Sequence, residues 1–173
     1  MKEKIKAKKN NGFTLVEVLL YVMILSAMTL TISVLLFLVF QARVKGQTIA
    51  EVEQNGQRVM QIVAQTIRNA DSITSPTIGT SAKSLTLVVP TSTKNPTIFS
   101  LSGSTIQIKE GSNANVALSN SRVVVSDLNI FSNLSQSGTP GTIKIQFTLS
   151  HLNPSGRNEY DYSETFYGSS SLR

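Results

Sequence analysis

The sequence predicts an α+β chain in which one long amino-terminal helix, transmembrane and then amphipathic, packs on a small antiparallel β-sheet domain. Three observations carry that expectation. Residues 13–40 hold a single charged side chain, Glu17, in 28 positions. Residues 41–72 then set apolar or small side chains three or four positions apart, the period of a helix with one buried stripe. The remainder alternates short β-prone runs with clusters of Gly, Pro, Ser and Asn, the pattern of strands and turns. The expected organisation is therefore a basic head over 1–12, an apolar helix over 13–40, its amphipathic continuation over 41–72 and a β domain over 73–173.

The head carries Lys2, Lys4, Lys6, Lys8 and Lys9 against Glu3, which accounts for +4 of the formal net charge of +6. The rest of the chain is close to neutral, so net charge gives no support for a broad phosphate-binding surface. As a helix, residues 13–40 would measure roughly 42 Å, and a bilayer core of roughly 30 Å needs about 20 apolar residues. No proline occurs before Pro76 to interrupt the run. The lysines on its amino-terminal flank place that flank in the cytoplasm and the β domain outside it. A secretory signal peptide fits poorly: its apolar core is about 7–15 residues long, and its small residue follows the core instead of preceding it. An ordinary signal anchor fits length and charge equally well.

Within 41–72 the predicted stripe is Ile49, Val52, Gly56, Val59, Val63, Ile67 and Ala70, with Arg43, Lys45, Glu51, Glu53, Arg58 and Arg68 mostly off it. Gly46 and Gly56 each weaken an isolated helix by about 1 kcal/mol. Asn69–Ser72, followed by Pro76, reads as the stop. The expected strands are Ser84–Val89, Thr97–Leu101, Thr105–Lys109, Arg122–Ile130, Thr142–Leu149 and Glu159–Tyr167. One face of the sheet they form is expected to lie on the helix stripe.

Residues 11–20, Asn-Gly-Phe-Thr-Leu-Val-Glu-Val-Leu-Leu, resemble the recognition sequence of prepilin peptidase: a basic leader ending in Gly, an apolar residue next, and Glu four positions further on. The chain thus resembles the type IV pilin and type II secretion pseudopilin family. The segment from Arg58 to Ala70, the all-strand remainder and the Ser-Leu-Arg ending look most like the J/W-type minor subunits. The resemblance implies cleavage between Gly12 and Phe13, N-methylation of Phe13, and a role for Glu17 as the carboxylate that meets an α-amine during assembly. It implies as partners the prepilin peptidase, other pilin or pseudopilin subunits, an inner-membrane assembly platform and membrane lipid. It implies a location in the cytoplasmic membrane and then in a cell-surface or periplasmic filament. Many major pilins carry a proline midway through the apolar run and a carboxy-terminal disulfide; this chain has neither, and both departures lean towards a minor subunit. Two other readings remain open: a filament-tip subunit that grips DNA, a surface or cargo, and a plain single-pass anchor in which Gly12 is never cut. The sequence does not separate a pilus from a secretion pseudopilus or a DNA-uptake filament.

No enzyme is expected. There is no cysteine, which removes disulfides and thiolate chemistry, and no G-x-S-x-G elbow, phosphate loop or metal-spaced His pair. No cofactor, metal or catalytic residue is assigned. The one histidine, His151, precedes Asn153-Pro154-Ser155-Gly156 and reads as an exposed loop residue. Glu159 and Asp161 would share a strand face with Glu164 nearby, a weak cation-site pattern better read as a solvated face. Tyr160, Tyr162 and Tyr167 with Arg157 and Arg173 would suit a nucleic-acid strand only if more basic residues clustered with them. Asn133-Leu134-Ser135 matches a glycosylation sequon.

Overall fold

A computed structural model describes residues 12–126 and 130–173. Helix α1 runs from Leu15 to Arg68, and ten strands follow it, an α+β layout. Contacts divide the chain into two compact units, Met1–Ala42 and Arg43–Arg173.

In the first unit the described helix residues are nearly all exposed. From Val18 to Phe40 its large apolar side chains are about half exposed or more, so the segment is both long and apolar enough to cross a bilayer. Its few hydroxyls are satisfied internally: Ser26 donates to the Met23 carbonyl, Thr29 to Leu25, Thr31 to Ala27 and Ser33 to Thr29, each at 2.8 Å. Such back-bonding would leave none of these four donors unpaired in an apolar surrounding.

In the second unit the stripe on α1 is Thr48, Val52, Gly56, Val59, Val63 and Ile67, all buried. Thr48 takes the place expected for Ile49, its hydroxyl bonded to the Val44 carbonyl at 3.0 Å. Each fully buried Val or Ile here is worth about 1.5–3 kcal/mol of transfer free energy. The helix stops four residues before the expected end. Asn69 and Ala70 tighten onto the Thr66 and Ile67 carbonyls, and the Asp71 amide already bonds the Val88 carbonyl at 2.8 Å. Ser72–Ser75 is therefore a strand, one that was not among those expected.

The strands are β1 (Ser72–Ser75), β2 (Ser81–Ala82), β3 (Ser84–Val88), β4 (Thr97–Ser102), β5 (Thr105–Glu110), β6 (Val116–Ala117), β7 (Val123–Val125), β8 (Phe131–Asn133), β9 (Thr142–His151) and β10 (Ser163–Ser171). They form two antiparallel sheets. One has the order β1-β3-β4-β5-β6; the other has β10-β9-β8-β2, with β7 also on β9. The core joins the helix stripe to Leu85, Leu87, Phe99 and Ile106 of the first sheet and to Phe131, Ile143, Ile145, Phe147 and Leu149 of the second.

Two expected strands need correction. The run expected over 122–130 holds only β7, and a separate strand, β8, begins just past it, because Val125 pairs with Leu149 and Phe131 with Ile145. Six steps on one side thus face four on the other, and a continuous ladder has no place for the extra two; residues 127–129 of that expectation lie outside the described residues. The strand expected over 159–167 is shifted: Asn158–Tyr160 forms a turn of 3-10 helix and β10 begins at Ser163. Glu159 and Asp161 therefore do not share a strand face.

Strand β10 lies across α1, and the contact depends on small residues. Phe166 stacks on Phe147 at 5.6 Å between centroids, and a Cβ added to Gly56 would overlap the far end of the Phe166 ring. Ser170 donates to the Ala64 carbonyl at 3.0 Å, which fixes the register of strand on helix.

Candidate functional site

The sequence directs attention to the start of α1, where local chemistry sets the geometry. Gly12, Phe13 and Thr14 precede the helix and are exposed. Thr14 caps it: its hydroxyl accepts from the Glu17 amide at 3.2 Å, and its carbonyl accepts from the Val18 amide at 3.2 Å. Thr14-Leu15-Val16-Glu17 is thus a T-x-x-E start signal, and Glu17 stands in the first turn where the helix dipole favours an anion. The Glu17 carboxylate accepts from the Tyr21 hydroxyl, one turn on, at 3.2 Å. The Tyr21 ring meets Phe13 edge-on, with centroids 6.3 Å apart and planes at 77°. Four residues, Phe13, Thr14, Glu17 and Tyr21, therefore form one cluster around a half-exposed carboxylate. The sequence reading named Phe13 and Glu17; it missed Thr14 and Tyr21, although the capping pattern and the i, i+4 spacing were both visible. Gly12 is not demanded by packing or backbone geometry, since among the described residues nothing lies within 4 Å of the position a Cβ would occupy.

The other singled-out residues occupy the second unit and mostly serve its structure. His151 is the last residue of β9, with its side chain 10% exposed, and is not an exposed loop residue. Its Nε2 faces Glu51 Oε2 at 3.5 Å, and its ring stacks on Tyr160 at 5.6 Å. Glu51 is a junction. Asn120 donates to its Oε1 at 2.7 Å and the Arg122 guanidinium lies 3.7 Å away, so α1 is tied to the ends of β7 and β9. Lys45 donates to the Asn158 and Asp161 carbonyls and clasps the 3-10 turn to the same helix.

Glu159, expected on a solvated face, is buried and paired with Arg157. Its own backbone N–H, then the Arg157 guanidinium, then the more distant Lys45 charge hold its carboxyl below its ordinary value of 4.5, against the opposing effect of burial. A depressed carboxylate adds stability above the unfolded value that is lost as pH falls through the folded one. Glu159→Gln is therefore expected to flatten the acid side of the stability profile below about pH 4.5, read as the thermal midpoint against pH. Tyr162 donates to Glu164 at 3.0 Å, and that bond, reinforced by burial, raises the phenol. Arg157 lies over the Tyr160 ring at 5.7 Å, so these groups are occupied within the fold. Among the described residues, no set of three or more His, Asp or Glu side chains is arranged to hold a metal. Asn133 of the sequon is buried; its amide donates to the Pro76 carbonyl at 2.7 Å, and its oxygen accepts from the Ser135 amide and hydroxyl. In the folded chain it is unavailable for modification.

Comparison with known proteins finds the family profile described as "Prokaryotic N-terminal methylation motif" over residues 7–39, the stretch that contains the cluster at the start of α1. No curated protein and no solved structure matches the chain. With a membrane-length apolar helix followed by antiparallel sheets, the motif supports a type IV pilin- or pseudopilin-like protein. A motif of this type implies other pilin subunits and prepilin peptidase as partners in general.

Proposed function

We propose that the chain is a minor assembly subunit of a type IV pilus- or pseudopilus-like filament, with a structural and not a catalytic role. The observation that carries the proposal is the methylation motif seated on a helix whose start is capped by Thr14. Prepilin peptidase cuts between Gly12 and Phe13, and Phe13 becomes the methylated amino terminus. The bond lies outside the helix, where a peptidase can bind it in extended form, and Gly12 is free to meet the peptidase's demand because the fold makes none. The amino-terminal flank faces the cytoplasm and the β domain the outside. Glu17 then meets the α-amine of a neighbouring subunit as the apolar helices pack.

The test is the mass of the amino-terminal peptide from membrane-expressed protein, with and without prepilin peptidase. The expected product begins at Phe13 and is one methyl heavier. Retention of residues 1–12 beside an active peptidase rejects the proposal in favour of a plain anchor.

A further inference from the structure

Strand β10 is an edge strand whose free side is equipped to take another strand. The His151 amide donates to the Tyr162 carbonyl at 2.9 Å, and the Leu172 amide donates to the Gly141 carbonyl at 2.8 Å. The register between those bonds is unbroken: Glu164 pairs with Leu149, Phe166 with Phe147, Gly168 with Ile145 and Ser170 with Ile143. In an antiparallel ladder alternate residues exchange both bonds with their partners. The even-numbered residues of β10 therefore bond β9, and Ser163, Thr165, Tyr167, Ser169 and Ser171 aim N–H and C=O away from it. All five are exposed, and among the described residues none of these backbone groups is bonded elsewhere.

The other sheet edges are blunted. Strands β2 and β6 have two residues each, and β1 has four with a register shift between Ile73 and Ser75 before Pro76. Short strands, bulges and prolines are the usual defences of an edge, as are lysines. Strand β10 has nine residues, no bulge, no proline and no lysine. Its one charge, Glu164, accepts from Tyr162.

We propose that β10 docks an extended segment of another protein chain, added antiparallel to its free edge. A groove of about 540 Å³ runs beside that edge, with Met60, Ala64 and Ile145 as its apolar lining and Gly168 leaving it open. Side chains on one face of the added strand enter this groove, so the segment alternates small apolar with polar residues. Its charge follows from the groove. Arg68 lines one end, and among the described residues no acidic side chain lines the groove. In antiparallel addition the incoming amino end lies at that end of β10, so the segment carries an acidic residue there. Main-chain bonds give the affinity, and the groove with Arg68 gives the selection, as in other strand-addition complexes.

The test uses the full chain in lipid nanodiscs and a ten-residue peptide of alternating threonine and valine with an amino-terminal aspartate. Residue-resolved hydrogen exchange is expected to slow at least tenfold at Thr165, Tyr167 and Ser169, with their even-numbered neighbours unchanged. Thr165→Pro removes an outward N–H together with the Thr165–Thr148 hydroxyl bond, and Ser169→Lys adds an edge charge; each is expected to abolish the protection while the even-numbered amides report an intact fold. A peptide with lysine for aspartate is expected to bind at least fivefold more weakly. Unchanged exchange at the odd-numbered residues, protection at β1 or β6 instead, or binding indifferent to both variants overturns the proposal. Equal binding of the lysine peptide overturns its acidic part. None of these readouts depends on cleavage at Gly12.

Discussion

Valine in place of Gly56 is expected to destabilise the carboxy-terminal unit by about 2–3 kcal/mol, in the range of overpacked core substitutions. The expectation runs against local propensity, because glycine inside a helix is about 1 kcal/mol worse than alanine. What reverses the sign is Phe166, whose ring occupies the space a Cβ would need and is backed by Phe147. The ring cannot retreat without breaking its stack or lifting β10 from α1. A loss on that scale lowers the thermal midpoint by roughly 5–10 °C in a unit of this size. Gly56→Val combined with Phe166→Ala should recover part of the loss, since the second change opens the space the first one needs. An unchanged midpoint for the single variant would mean that strand and helix lie further apart than described.

Glu17→Gln is expected to leave amino-terminal processing intact and to reduce recovery of the subunit in filaments at least a hundredfold. The substitution keeps an oxygen able to accept from Tyr21 and removes only the charge, so it separates the local bond from the proposed pairing with an amine. Breaking one side of an ion pair held in an apolar core costs about 3–5 kcal/mol, which corresponds to a factor of a hundred or more in assembly. Unaltered filament incorporation of the glutamine variant would show that charge at this position does not drive assembly. A fall in processing instead would place the carboxylate in peptidase recognition.

Much of the fold was legible because periodicity is a strong signal in long elements. The stripe from Val52 to Ile67 and the alternation of Ile143, Ile145, Phe147 and Leu149 are buried in the pattern the sequence suggests. Misreadings arose where the deciding partner is distant in sequence. Ser72–Ser75 is strand because Val88 lies beside Asp71, and nothing local in Ser-Ile-Thr-Ser says so. His151 looked like a turn residue because Asn153 to Gly156 follows it, yet Glu51, a hundred positions earlier, and Tyr160 enclose it. At the candidate site the residues named from the motif, Gly12, Phe13 and Glu17, flank the start of α1. The contributions of Thr14 and Tyr21 needed hydrogen bonds to be seen.

In the proposed assembly, the hydroxyls of the apolar segment bear on how a subunit would leave a bilayer. Ser26, Thr29, Thr31 and Ser33 each spend their donor on a carbonyl of their own helix. Moving the segment from lipid into a bundle of similar helices therefore breaks no hydrogen bond of theirs and strands no donor. The transfer exchanges one set of dispersion contacts for another of nearly the same strength. Under the proposed assembly, such a segment would pass between two apolar phases with little cost in polar groups, and small differences in packing would decide the direction.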